Sequence, residues 1–303
     1  MCIRDRSWAD AYQRAGGEYY PRLVSAIPFT PATGNRVLIK KGWQSADLTK
    51  ALVGVVQQLM EANKASSFHC LFPTQAQSQA LDEASLLTRR ACQYHWYNRD
   101  YGSFDDYLAA LKSKRRKQIR KERCDANSAG LTIETLYGDD IKEEHWHVFH
   151  QFYCSTFYRK WGEPRLTEAF FNYLSESMPD APLLVLAANG DEYIAGSFCM
   201  RGDSTLFGRH WGCTEHYNHL HFELCYYQNI DFCIHENLQC FDAGAQGEHK
   251  IMRGFEPVTT WSNHLIRDAG FSRAISDFLS RETPMIEKYI DDLANHSAYR
   301  QSE

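Results

Sequence analysis

Between Pro182 and Cys213 the chain reads PLLVLAANGDEYIAGSFCMRGDSTLFGRHWGC, three short apolar runs cut by turn signals. Leu183–Ala188 and Tyr193–Arg201 flank Asn189-Gly190, a dipeptide that reaches positive φ at little cost and so closes a hairpin. Asp203-Ser204 sits in the next turn, before a third run over Thr205–Gly212. Runs of this length are strands rather than helices. A meander of three strands is the frame that the rest of the chain must satisfy.

The neighbouring segments alternate in character. Leu131–Leu136 is a strand by its β-branched content. Lys142–Tyr158 and Thr167–Met178 are helices, the second capped by Thr167. His221–Asn237 is a helix, Gln239–Ala243 a strand, Trp261–Ile266 a final strand and Glu287–Asn295 a terminal helix. Upstream, Leu23–Phe29 and Val37–Ile39 read as short strands. Asp47 opens a helix to Asn63 with Leu48, Leu52, Val55, Val56 and Leu59 on one face. Phe68–Phe72 and Cys92–Tyr97 are strands, Gln77–Leu87 is helical, and Phe104–Arg123 is one basic helix. This mixed order specifies an α/β (α+β) fold around mixed central sheets. Asp47–Phe72 and His221–Ala243 also echo each other. Each is a helix then a short strand, followed by a polar stretch and an aromatic strand (CQYHWYN, TTWSNHL), as a duplicated domain would show.

Composition narrows the class. The 303 residues carry a net charge of −5, which weighs against general nucleic-acid binding. Ten cysteines occur without a C-x-x-C pair, so they read as reduced thiols of a cytoplasmic protein. No apolar run approaches the roughly 18 residues of a membrane span, and no signal peptide is visible. Met1–Arg6 (MCIRDR) matches a translated sequencing adapter, so native sequence is expected to start near Ser7, in mid-domain, with an upstream part missing.

Three clusters could carry chemistry. Arg115 lies between Leu111 and Ile119 on the apolar stripe of the basic helix. It is either a bidentate anion ligand or a snorkelling or salt-bridged cation. The other cations from Lys112 to Arg123 form a solvated face that also suits a phosphate-rich substrate such as tRNA. In EHYNHLHFELCYY, a loop after a strand opens a helix near His221, where free N–H groups favour an anionic group. Glu223, Tyr226 and Tyr227 would then face a cleft. A metal site would need three of His216, His219, His221 and Glu223 to converge, and their spacing disfavours it. In FDAGAQGEHKIMRGFEPV, a strand end and two glycines lead into Gln246, Glu248, His249, Lys250 and Arg253. Histidine is a base near neutral pH, and lysine and arginine hold anions. A solvated charged loop is the plain alternative.

The run HLHFELCYYQNIDFCIHENLQCFDAGAQGEHKIMRGF, together with FDDYLAALKSKRRKQIRKER and SWADAYQRAGGEYYPRLVSAIPFTPATG, resembles the FemAB-like N-acyltransferases of peptidoglycan biosynthesis or recognition. The resemblance covers essentially the whole chain after Arg6. It implies tandem GNAT-type acyltransferase domains: residues 7–100 as the remainder of a first, incomplete one, 101–285 as a second, complete one, and 286–303 as a terminal helix and tail. The wider group moves amino acids from aminoacyl-tRNA to an amine on a cell-wall precursor. The implied activity is acyl or aminoacyl transfer to an amine on a small-molecule or peptidyl acceptor. The donor would be acyl-CoA or aminoacyl-tRNA, with no tightly bound cofactor and no metal. Acetyl-CoA sites of this class usually carry R/Q-x-x-G-x-G/A where this chain reads GCTEHYNHLHFE, which puts acetyl-CoA in doubt. Nor is there room for the long helical arm of some relatives, since a strand begins at Leu131. The expected site has Glu223 or His249 as base and Tyr226 or Tyr227 as proton donor to the leaving group. Arg115, His221, Gln246, Lys250 and Arg253 would bind substrate. A non-catalytic binder of peptidyl ligands on the same fold is the alternative.

Overall fold

A computed structural model describes residues 6–40, 42–43, 45–159 and 162–300. Met1–Asp5, most of the expected adapter segment, lie outside the described residues. The chain divides into two compact units, Met1–Gln93 with Pro257–Asn295 and Tyr94–Glu256 with His296–Glu303.

The first unit contains α1 (Arg6–Arg14), β1 (Leu23–Ser25), α2 (Ser45–Ala62), β2 (Ser67–Leu71), α3 (Gln75–Glu83) and the start of β3 (Leu87–Tyr97). The second contains α4 (Phe104–Ala110), α5 (Ser113–Asn127), β4 (Thr132–Tyr137), α6 (Glu143–Arg159) and α7 (Glu168–Ser177). Then come β5 (Pro182–Asn189), β6 (Glu192–Arg201), β7 (Thr205–Cys213), α8 (Leu220–Phe222), a π-turn at Glu223–Tyr227, α9 (Gln228–His235) and β8 (Cys240–Asp242). The chain returns to the first unit with β9 (Glu256–Ile266) and α10 (Ala269–Asn295).

In the first unit β1 pairs with β2 in parallel, and β2 with β9 antiparallel. That last pairing moves residues 257–285, expected with the second domain, into the first unit. Its register sets His69 opposite His264, and their Nδ1 atoms lie 2.7 Å apart. His69 Nε2 also meets Ser67 Oγ at 2.8 Å. Both rings are buried, so the pair supplies each other's hydrogen bond where water cannot. Residues 37–39 form no strand. Helix α2 buries Thr49, Val53 and Met60, whereas Leu52, Val55 and Leu59, expected on the core face, are exposed. The helix has two apolar stripes, and the one bearing Val53 reaches the cluster of Cys70, Leu81 and Leu86.

In the second unit the meander forms as the sequence dictates. Strands β4 to β7 pair antiparallel in order, with Gly190 at φ +61° in the β5–β6 turn. β8 adds to β7 in parallel, and Tyr94–Tyr97 at the end of β3 flank β8 antiparallel. The meander buries its faces under α6, through Trp146, Phe149 and Phe152, and under α8 and the π-turn, through Leu220 and Leu224. The expected single helix 104–123 is two helices. Leu111 is extended and bridges Tyr299, while Lys112 N–H donates to Ala298 O at 2.9 Å, so the chain end wedges the helix open. Conversely, α10 starts well before the expected Glu287 and runs through Pro284.

Gly212 in β7 has no room for a side chain, because a Cβ there would fall on the backbone of Phe152 in α6. Overpacked sites of this kind cost about 1–3 kcal/mol. Gly212→Ala is expected to lower the urea midpoint accordingly, measured against the exposed turn variant Gly190→Asn.

Candidate active site

The geometry begins with an irregularity in the sheet. Between β6 and β7 the register passes from Phe198 opposite His210 to Cys199 opposite Gly208. Arg209 is therefore an extra residue in β7, a bulge that bends the strand and re-aims its side chains. Against this stretch lies the π-turn, where Gln228 N–H bonds to Glu223 O instead of following the α-helical pattern. The displaced Leu224 carbonyl accepts from Ser197 Oγ at 2.7 Å and Asn229 Nδ2 at 3.0 Å. A cavity of about 710 Å³ opens between bulge and π-turn. Its walls include Tyr153, Phe157, Trp211 and Phe241 on the apolar side, and His210, His221, Cys225, Tyr226, His249 and Lys250 on the polar side. This mixture of apolar walls and a few convergent polar groups is typical of small-molecule sites.

The segment after β8 supplies one polar wall. Gly247 has φ +97°, and the 3₁₀ turn Glu248–Arg253 follows it. His249 Nε2 meets Tyr226 Oη at 3.1 Å. Burial, then the charges of Arg253 and Lys250, push the His249 pKa down, so the imidazole is neutral at pH 7 and able to accept a proton. Burial raises the Tyr226 phenol, which keeps its proton. The Lys250 ammonium donates to the carbonyls of Ala243 and Gly244, the latter at 3.3 Å. Burial lowers it to about 8, against the charge of Asp242. His221 is pushed down to about 4 by burial and then by His249 and Lys250. Its Nδ1 lies 3.4 Å from Cys225 Sγ.

The opposite side of the π-turn carries a buried ionic knot. Arg253 donates from Nη2 to both Glu122 oxygens at 2.8 Å and from Nε to Tyr227 Oη at 2.9 Å. Tyr227 in turn donates to Glu122, and the Arg253 guanidinium lies 3.6 Å from the Phe222 ring centre. Glu223 is fully buried, and its Oε1 accepts from Arg123 Nη2 at 3.1 Å and Gln228 Nε2 at 2.8 Å.

The expected site residues therefore separate. The cavity gathers His221, Tyr226, Gln246, His249 and Lys250. It is not lined by Glu223, Tyr227 or Arg253: Glu223 Oε1 accepts from Arg123 and Gln228, and Tyr227 and Arg253 bond to Glu122 and to each other. Arg115 is also elsewhere: it is half-buried on α5 and bonds Gln118 at 3.3 Å. Among the described residues no cluster of three metal ligands exists. His219 Nδ1 instead lies 3.2 Å from Asp125 Oδ2. Sequence reasoning missed His210, Arg209, Asn229 and Cys225 as cavity residues. The bulge has no sequence signal, but the i, i+4 spacing of His221 and Cys225 was available.

Comparison with known proteins supports this frame. Residues 2–301 match the FemAB-like family model, described as peptidoglycan biosynthesis/recognition. No curated protein matches the sequence. FemX shares the fold at 12% identity and TM-score 0.52, over 83% of this chain and 85% of that one. The C-terminal domain of an Agrobacterium fabrum protein assigned as a lysylphosphatidylglycerol synthetase is similar at 10% identity and TM-score 0.57, over 77% and 76% of the two chains. L-PGS from Bacillus licheniformis is similar at 8% identity and TM-score 0.53, over 77% and 79%. Among the described residues no helix is long and apolar enough to cross a membrane.

Two outcomes test the site's construction. A Cβ at Gly247 would strike the His249 ring and would also sit at positive φ. Gly247→Ala is expected to break the His249–Tyr226 contact, seen as a changed His249 Cε1–H shift by NMR. Burial would raise the Glu122 carboxyl, but hydrogen bonds from Tyr227 and Gln118 and the Arg253 charge hold it below 4.5. Its stabilisation is thus complete above the ordinary value and is lost as pH falls through the lower, folded-state value. Glu122→Gln, which leaves Arg253 unpaired, is expected to cost about 3–5 kcal/mol at pH 7. In urea titrations that difference narrows as pH falls through the folded-state value of Glu122.

Proposed function

Because this chain belongs to the FemAB-like family, we propose that the cavity performs acyl or aminoacyl transfer to an amine. The observation that carries this reading is the pairing of His249 with Tyr226 at 3.1 Å, in the lining of a cavity that Lys250 and several apolar side chains also line. Acyl transfer needs a base for the attacking amine, an acid for the leaving group and a cation or donor for the tetrahedral oxyanion. His249, held neutral, takes the amine proton. Tyr226, held protonated, gives one to the leaving oxygen or sulfur, and their contact lets the proton pass between them. Lys250 has one ammonium hydrogen free of the two backbone carbonyls, and it faces the developing oxyanion. The amine nitrogen bonds to the acyl carbon as the ester or thioester bond breaks.

Glu223 takes no part in this scheme, because it does not line the cavity and its Oε1 is held by Arg123 and Gln228. The donor is an acyl-CoA or an aminoacyl-tRNA, and the acceptor is a small or peptidyl amine connected with cell-wall precursors. The exposed cations Lys114, Lys117, Arg120 and Lys121 of α5 offer a surface for tRNA phosphates if the donor is aminoacyl-tRNA. Glycines suited to an acyl-CoA pyrophosphate are absent from Gly212–Glu223, which favours the aminoacyl donor.

The test is transfer from labelled aminoacyl-tRNA and acyl-CoA pools to amine acceptors, followed by mass spectrometry. His249→Ala and Lys250→Met should each lower turnover by about 10²–10⁴-fold, the range for acid–base and oxyanion groups. Melting temperature should change little in comparison. Wild-type turnover in both variants removes the assignment.

A further inference from the structure

The cavity contains a second pair of reactive groups that the scheme above does not use. Cys225 and His221 are one helical turn apart and both line the cavity. Cys225 Sγ lies 3.4 Å from His221 Nδ1, within S–H···N reach. A nucleophile beside a base, with the base oriented by a third group, is the arrangement of covalent acyl transfer. The orienting contacts here are the Trp211 ring, edge-on to His221 at 5.0 Å between centres, and Tyr226 at 5.6 Å. His210 also lines the cavity, and its Nε2 is buried without a hydrogen-bond partner, although its ring packs on Tyr153 at 4.8 Å between centres. An unbonded buried donor or acceptor costs about 1–3 kcal/mol, and a polar group of a ligand would satisfy it.

From this geometry we infer that Cys225 is a nucleophile that carries the acyl group as a thioester between donor and acceptor. The inference rests on the acyl-transfer reading of the same cavity. The step balances without an added reagent. The Cys225 thiol attacks the acyl carbon of the donor ester or thioester, and its proton passes to His221 Nδ1. The donor's C–O or C–S bond breaks, and the leaving alkoxide or thiolate takes the proton from His221. An amine then attacks the acyl-Cys225 carbon, the C–S bond breaks, the thiol is reformed, and the amide departs. His249 removes the amine proton in this second half, Tyr226 gives its own proton to the departing Cys225 sulfur, and the proton on His249 passes to Tyr226 through their 3.1 Å contact.

Burial raises the Cys225 thiol well above its ordinary value, so no standing thiolate is present and the proton must leave as the sulfur attacks. His221 suits that task, because it is held at about 4 and is unprotonated at neutral pH. The apolar surroundings that raise the thiol also exclude water from the thioester. Among the described residues the other cysteines lack one part of this arrangement: Cys199 lines the cavity but its Sγ meets Asn229 Oδ1 at 3.5 Å rather than a histidine. Cys124 is exposed and Cys233 is fully buried. Cys154 meets His150 at 3.5 Å, but neither lines the cavity.

The experiment is acylation of the whole protein by p-nitrophenyl acetate, without acceptor amine, followed by peptide mapping. The expected result is a +42 Da, hydroxylamine-labile label on the Cys225 peptide, formed at least tenfold faster than on Cys124. His221→Asn should slow it at least tenfold, while the label on Cys124 is unchanged. Cys225→Ser and Cys225→Ala, each checked for an unaltered melting transition, should lose the labile label. Labelling of Cys225 no faster than that of Cys124, or independent of His221, overturns the inference. Aminoacyl or acyl transfer that survives Cys225→Ala also overturns it and leaves the acyl-transfer reading standing. A Cys225 label with no transfer to any amine does the reverse: the nucleophile stands and the transfer reading falls.

Discussion

The buried contact among Glu122, Arg253 and Tyr227 is what the second unit's site depends on. It ties α5, the π-turn and the segment after β8 with charge-assisted bonds of 2.8–2.9 Å that water cannot reach. Breaking one member would strand a buried charge, so the three elements have a single low-energy arrangement. Tyr107 adds to it by donating to Arg253 O at 2.7 Å, and Arg253 Nη1 returns a bond to His249 O at 2.8 Å. The last of these bonds fixes the backbone of His249 itself. The residues that face the cavity, His249 and Lys250, and the one that holds the site, Arg253, thus share the same short stretch, Glu248–Arg253.

The π-turn performs the same separation on the other wall. Its wider winding sends Glu223 and Tyr227 to the α5 side and Cys225 and Tyr226 to the cavity side. A regular helix from Leu220 to His235 would rotate these side chains by a fraction of a turn, and the Leu224 carbonyl would no longer meet Ser197 and Asn229. π-Turns carry strain and are frequent at functional sites, so this irregularity and the Arg209 bulge point to the same place.

Much of this was legible in the residues, and the failures are instructive. The hairpin at Asn189-Gly190, the Thr167 cap and the aromatic helix over Glu143–Arg159 follow from local chemistry, which tertiary packing does not override here. The family resemblance was carried by long motifs rather than by single residues, and it extends over residues 2–301. Spacing could not reveal which side of a helix meets which partner. Arg253 and His249 share a helical face in sequence, yet one is paired with Glu122, more than 130 positions away. The break at Leu111 depends on Tyr299, and the placement of residues 257–285 depends on β2 pairing with β9. These are long-range pairings with no local signature. The α2 error has the same origin: Leu52 and Val53 are equally apolar, and only the neighbours of Val53 decide which is buried.

The central claim is that the acyl group is held in the cavity between the bulge in β7 and the π-turn. Photolabelling measures this directly. An aminoacyl ester and a pantetheine thioester, each with a diazirine on its acyl chain, would be irradiated with the protein, and the attached peptides mapped. The account predicts labels within residues 153–157, 197–211, 221–229 and 241–250. Labels concentrated in residues 6–93 or 257–295, or spread evenly over the surface, would contradict it.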